Sequence, residues 1–264
     1  MAFTLASWNI LATAYIREEF YPKTPPDILD PARRIPELVR HAAGLGVDIL
    51  CLQEVEAEVF AALDQGLRPL GYVGSYARKG GDRPDGCATF FRRDRFAHSL
   101  DRRIAFADGN GGAASGHIAQ LLCLEDEGKT IALVNTHLKW DPPGTPRQRQ
   151  WGYRQISQVI ETLRGDAAES RGQIVCGDFN VLPRSDVVST LLDAGFEYAH
   201  RGTEARTFNG DGRPRLIDYV FHGSSLRARP APTAPLGPES VLPSAEQPSD
   251  HLPLIARFDW AEPV

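Results

Sequence analysis

Five short stretches of this 264-residue chain end an apolar run in a residue that can bind a cation, hold a phosphate or move a proton. They are Ser7-Trp8-Asn9, Leu52-Gln53-Glu54, Asn135-Thr136-His137, Gly177-Asp178-Phe179-Asn180 and Ser249-Asp250-His251. Asp218 adds a carboxylate within the apolar run 216–221, where a buried charge needs a partner. The set Asn9, Glu54, His137, Asp178, Asn180, Asp218, Asp250 and His251 is rich in hard oxygen donors and holds no cysteine. Such donors suit Mg2+ or Mn2+ far better than zinc. Few carboxylates among several amides suit an ion that keeps some of its water and clamps phosphate oxygens in an in-line displacement. Histidines beside acids suit charge stabilisation or proton delivery to a leaving oxygen.

Each residue also has a plainer reading. Gly-Asp-x-Asn and Asp250-His251 favour ordinary turns. Glu54 is placed to cap a following helix, and a lone histidine such as His137 suits a structural role. Convergence of the whole set at one rim is what would make a site.

The elements that must position these residues follow from periodicity and punctuation. Strands are expected over 2–8, 47–52, 71–76, 87–91, 99–106, 173–177, 216–221 and 252–258, with a hairpin over 117–125 and 129–135. Helices are expected over about 31–45, 57–67, 147–164 and 185–194. Asp30 is the N-cap and Pro31 the first residue of the first of these. The twenty residues after Asn9 read as an irregular loop and 109–116 as a flexible turn. Residues 196–209 are ambiguous. Six prolines between 227 and 248 read as a loop or ragged edge. Strands outnumber helices, with hairpins and crossovers mixed. The expected fold class is α/β, a four-layer sandwich of two packed mixed β-sheets flanked by helices. No repeat or boundary divides the chain, so residues 1–264 are expected to form a single domain.

Composition narrows the function classes. At 42% hydrophobic and 24% charged, the chain can bury one large core. A formal net charge of -5 excludes tight binding of duplex nucleic acid by bulk charge, though a local basic groove stays open. Met1 leads straight into a strand-like run, so no secretory signal is expected. No apolar run approaches a membrane span. Cys51, Cys87, Cys123 and Cys176 lie in apolar runs without CxxC spacing, which reads as buried free thiols in a reducing cytoplasm.

The motifs, in this order and over nearly the whole chain, resemble the endonuclease/exonuclease/phosphatase superfamily. Ser7-Trp8-Asn9-Ile10-Leu11-Ala12, Asp85-Gly86-Cys87-Ala88, the stretch from Asn135 to Pro142 and the stretch from Pro248 to Leu254 look most like its deadenylase-like branch. That branch holds the carbon-catabolite-repressor-type nucleases, Angel proteins, the 2′-phosphodiesterase and nocturnin. The resemblance implies a phosphoesterase using Mg2+ (or Mn2+) on single-stranded nucleic acid or a nucleotide. No membrane partner is expected, and the chain is expected to be a monomer. It implies Glu54 as principal metal ligand, with Asn9 and Asp250 completing the metal region. Asp178 would activate the attacking water and Asn180 would hold water or phosphate. His251, fixed by Asp218, and His137 would contact the phosphate from two sides, with His137 also serving the leaving oxygen. Asp85 is the expected orienter of His137. Trp140 and Lys139 are candidates for a base or ribose, and Arg78 and Asp85 for the substrate groove. Packing for Trp140 and solvent for the arginines are the plainer readings. The chain departs from the branch in having no leucine-rich-repeat segment. It also carries Gly116-His117 where an acid-amide pair is usual. Adenine-tail specificity is therefore not implied. A phosphomonoesterase of a small metabolite and a catalytically silent binding protein are the alternatives.

Overall fold

The computed structural model describes residues 2–109, 113–210 and 212–262. Part of the turn expected over 109–116 lies outside the described residues. In chain order the main elements are β1 (Phe3–Asn9), α1 (Pro26–Leu29), α2 (Pro31–Gly44), β2 (Ile49–Glu56), α3 (Ala57–Leu67), β3 (Tyr72–Arg78), β4 (Asp85–Arg92) and β5 (Ala97–Ala105). Then follow β6 (Ile118–Asp126), β7 (Lys129–His137), α4 (Trp151–Gly165), β8 (Gly172–Asp178), α5 (Asp186–Asp193), β9 (Glu197–Tyr198), β10 (Asp218–His222), β11 (Leu226–Pro230) and β12 (Leu254–Trp260). They form two six-stranded sheets, ordered β11-β12-β1-β2-β4-β3 and β5-β6-β7-β8-β10-β9.

Period-two alternation sets the layers. Along β1, Phe3 and Leu5 face the core between the sheets, whereas Ala6 and Trp8 face the helices. In β2, Ile49 and Cys51 face inward and Leu50 and Leu52 outward. The outward set packs under Leu38 and Ala42 of α2 and Val59 and Leu63 of α3. Ile156, Val159, Ile160 and Leu163 of α4 cover the second sheet. The architecture is the expected α/β sandwich. Asp30 caps α2 through Ala32 N, as its position before Pro31 predicts.

Two local expectations, for 147–164 and Asp218, are corrected, and that of a loop or ragged edge after 227 is sharpened. The helix expected from 147 starts at Trp151, because 147–149 form a 3-10 turn and Asp141 accepts from the amides of Trp151 and Gly152. The proline-rich stretch opens with β11, an edge strand, where a proline costs no ladder bond. Asp218 begins β10 rather than sitting in the middle of a strand.

Each sheet contains one parallel pair, β1 with β2 and β7 with β8. Parallel pairs need crossover connections, here α1–α2 and α4. Just below the strand ends, Gln53 Nε2 donates to Asn135 Oδ1 across the sheets at 2.8 Å. Asn135 Nδ2 donates back to the carbonyls of Leu52 and Ala88. Thr89 Oγ1 donates to Gln120 Oε1 at 2.8 Å. These bonds join the two sheets under the rim.

Gly177 lets β8 approach β7. Its φ is +143°, and a Cβ there would stand 1.7 Å from the carbonyl oxygen of Thr136. That approach seats His137 beside Asp178. Gly177→Ala is expected to cost about 2–4 kcal/mol of unfolding free energy in a urea titration. A loss under about 0.5 kcal/mol would show that this backbone adjusts freely.

Candidate active site

In open α/β sheets, chemistry gathers beyond the carboxyl ends of parallel strands. Asn9 ends β1, and His137 and Asp178 end β7 and β8 in register. Antiparallel neighbours enter where these strands leave. Asp218 opens β10 opposite Asp178, Asp85 opens β4 opposite Glu56, and Asp250-His251 lead into β12. The two sheets thus deliver their polar residues to one rim.

Glu54 reaches that rim by a device the sequence does not announce. β2 runs on to Glu56, and the pairing with β4 shifts between Gln53 and Val55. Glu54 sits in this bulge with a φ of +58°, which re-aims its side chain. It does not cap α3. Asn180 is likewise left-handed, at φ +54°. Non-glycine residues held there cluster at functional sites.

Asn9 is the hub. Its Nδ2 donates to Glu54 Oε1 and to Asp178 Oδ2, each at 3.0 Å. Glu54 Oε2 accepts from Ala12 N, and Asp178 Oδ1 accepts from Asn180 N. Two imidazoles flank Asp178 Oδ2: His137 Nε2 at 3.7 Å and His251 Nε2 at 3.8 Å. His251 Nδ1 is 2.9 Å from Asp218 Oδ2. Phe208 packs against the His251 ring at 4.9 Å. The Ser249-Asp250-His251 turn is tied to β1, because Trp8 Nε1 donates to the His251 carbonyl and Ser249 Oγ to the Asn9 carbonyl.

Burial shapes the charges. Burial and the neighbouring Asp218 push Asp178 up to about 7, against bonds from Asn9 and Asn180 that favour its anion. Burial raises Glu54, and Asp250 raises it further, partly offset by Lys79. Burial alone would lower His251, but Asp218, its hydrogen bond and the nearby Asp178 and Asp250 raise it well above the usual range. His137 moves the opposite way, lowered by burial and then by Lys79 and His117. The two imidazoles beside Asp178 are therefore pushed in opposite directions, His251 toward its cation and His137 toward its neutral form.

The donors fit a hard cation on the Glu54 side. Asp250 Oδ1 is buried without a hydrogen-bond partner among the described residues, while its Oδ2 accepts from Tyr21 OH at 3.0 Å. Two mutually repelling carboxylates and an orphaned oxygen are what a divalent ion would satisfy. Asp178, Asp218 and His251 also bring ligand atoms within 4.8 Å of one another. In that trio Asp218 engages His251 Nδ1 through one oxygen, while its Oδ1, like that of Asp250, is buried without a hydrogen-bond partner among the described residues.

Residues 6–251 match the profile of the endonuclease/exonuclease/phosphatase family. The chain belongs to that family. 2′,5′-Phosphodiesterase 12 of Homo sapiens is 26% identical over 320 residues, covering 96% of this chain and 51% of that protein. Carbon catabolite repressor protein 4 homolog 4 of Arabidopsis thaliana is 26% identical over 323 residues, covering 97% and 77%. The crystal structure of ANGEL2, a 2′,3′-cyclic phosphatase, with adenosine-2′,3′-vanadate superposes with a TM-score of 0.80 at 20% identity, covering 98% of this chain and 95% of that one. These relatives fall in the deadenylase-like branch to which the motifs pointed. The chain spans about half the length of the 2′,5′-phosphodiesterase it matches.

Within this family member, Asn9, Glu54, His137, Asp178, Asn180, Asp218 and His251 form one bonded or near-contact cluster, and Asp250 adjoins it through its charge on Glu54. Asp85 makes no hydrogen bond to His137. It holds Lys79 at 2.6 Å and accepts from Tyr15 OH at 2.6 Å, so it reaches His137 only through the lysine. Arg78 is exposed on β3 and donates to the Arg83 carbonyl. Trp140 stands 55% exposed instead of packing on α4. Lys139 lies not on Trp140 but over Trp151, 3.8 Å from the ring centroid, with Arg154 at 4.8 Å. Sequence reading missed Tyr15, Tyr21 and Phe208, and took Lys79 with the arginines around it for the lining of a phosphate groove or a solvated face, not for a buried partner of His137. The tyrosines lie in a loop without period.

Proposed function

We propose that this chain is a Mg2+- or Mn2+-dependent phosphoesterase that hydrolyses phosphodiester bonds in single-stranded RNA or a nucleotide, working as one domain and as a monomer. Glu54, Asn9 and Asp250 would hold the ion, which would neutralise charge building on the phosphoryl oxygens. Asp178, poised near neutrality, takes the proton of the attacking water. Asn180 holds that water or a phosphate oxygen. His251, kept cationic and oriented by Asp218, donates to the phosphate as its charge grows. His137 faces the phosphate from the other side. The observation that carries this reading is Asn9 joining Glu54 to Asp178, with an imidazole on each side of Asp178.

Single-stranded substrates are favoured by what surrounds the rim. Of the five large apolar side chains exposed among the described residues, Phe20, Trp140 and Leu182 lie on loops that follow Asn9, His137 and Asn180. Unpaired bases stack on such platforms. Lys139 and Arg154 over Trp151, and Arg147 over Tyr153, add cationic charge to the segment that follows His137. Among the described residues no helix is long and apolar enough to cross a membrane. Four buried free cysteines support a reducing cytoplasm.

The test is a product assay. With Mg2+ or Mn2+, an unpaired oligoribonucleotide is expected to yield nucleoside monophosphates, and EDTA is expected to abolish the release. Inorganic phosphate from monoesters, with oligomers left intact, would reassign the same site to a monoesterase. No hydrolysis across a phosphoester panel would leave a binding protein.

A further inference from the structure

Lys79 lies in the loop between β3 and β4, yet its side chain is only 1% exposed. Its backbone N–H donates to the Asp85 carbonyl. Its ammonium sits 2.6 Å from Asp85 Oδ2 and 3.2 Å from His137 Nδ1. Asp85 is itself fully buried and held from the other side by Tyr15 OH. The ammonium is thus fixed against the imidazole by a charged partner that has no freedom to leave.

An ammonium carries three N–H donors and no lone pair. A ring nitrogen facing it at 3.2 Å accepts only through its own lone pair, so this contact favours an Nδ1 without a proton. The Asn180 amide facing Nε2 favours the opposite tautomer, but the bond from a charged donor is the stronger of the two. An imidazole with a bare Nδ1 carries its proton on Nε2. That nitrogen points into the site, 2.9 Å from Asn180 Nδ2 and 3.7 Å from Asp178 Oδ2. The Asn180 amide also donates to the Leu138 carbonyl. With Nε2 protonated, Asn180 and His137 present donors to each other. A phosphate oxygen that accepts from both resolves that conflict.

We propose that Lys79 is a positioning residue that fixes His137 as its Nε2–H tautomer, making His137 a hydrogen-bond donor to the phosphate. The donor role rests on the phosphoesterase reading above, whereas the tautomer does not.

The experiment is a long-range 1H–15N correlation spectrum of the 15N-labelled full chain with Mg2+, with His137 assigned by its loss in His137→Gln. Wild type is expected to show an unprotonated Nδ1 and a protonated Nε2. Lys79→Met is expected to move Nδ1 toward protonation, and Lys79→Arg, which still donates, to restore the wild-type pattern. Lys79→Met leaves Asp85 buried and unpaired, so the double variant Lys79→Met/Asp85→Asn is measured beside it. A protonated Nδ1 in wild type, or an unchanged tautomer in folded variants without the lysine, overturns the proposal. The spectrum needs no substrate, so a chain that hydrolyses nothing yet shows the Nε2–H tautomer defeats the phosphoesterase reading alone.

Discussion

Glu54→Gln is expected to lower kcat for phosphodiester hydrolysis at least about 10³-fold, a loss of about 4 kcal/mol of transition-state stabilisation. The substitution keeps the shape of the side chain and removes its charge. It takes away the carboxylate that, with Asp250 and Asn9, offers the donor set for a divalent ion. The fold should survive. Gln keeps one acceptor for Asn9 Nδ2 or Ala12 N and loses the other, at about 1 kcal/mol. Against that, it ends the burial of an anion that Asp250 repels. The melting midpoint without metal should therefore stay within a few degrees of wild type. Added Mg2+ should raise the wild-type midpoint and leave that of the variant unmoved. Activity within tenfold of wild type would remove Glu54 from the metal region.

Asp178→Asn should be as severe for turnover and opposite in sign for stability. Asparagine cannot take a proton from water, so a fall of at least about 10³-fold in kcat is expected. In the metal-free protein the same change relieves a strained anion. The folded-state value of about 7 lies above the ordinary 3.8, through burial and the opposed Asp218. Ionising Asp178 therefore destabilises the native state. Below about pH 4 the group is neutral in both states and the variant gains nothing. Between about 4 and 7 only the unfolded chain ionises, so the wild type loses ground as pH rises. The stability advantage of Asp178→Asn should grow across that window and level off above it. Urea unfolding at pH 4, 5.5 and 8 reads this directly. An advantage that is flat with pH would show that Asp178 is not strained.

The residues at strand ends were legible because each follows an apolar run with strand periodicity. A strand must deliver what terminates it to an edge of the sheet. Asn9, His137 and Asp178 lie at the ends of their strands for that reason, and alternation along β1 and β2 separates inward from outward residues without further information. Glu54 was legible as a residue but not as a geometry. Nothing in Gln53-Glu54-Val55 announces a bulge, because a bulge is a mismatch with the partner strand β4 and not a property of β2 alone. The place of Lys79 was illegible for a similar reason, though its charge was not. Its burial depends on Asp85 across a turn and on His137 from the other sheet. The loop after Asn9 has no period, yet it carries Tyr15 to Asp85 and Tyr21 to Asp250. Long-range partnerships of single polar residues leave no pattern in a chain, whereas apolar faces do.

The proposed chemistry depends on a divalent ion between Glu54 and Asp250. A crystal soaked with Mn2+ and measured for anomalous scattering tests this most directly. The predicted result is one strong peak within bonding distance of a Glu54 carboxylate oxygen and of Asp250 Oδ1. A peak held by Asp178, Asp218 and His251 instead, with Glu54 free of it, would contradict the account.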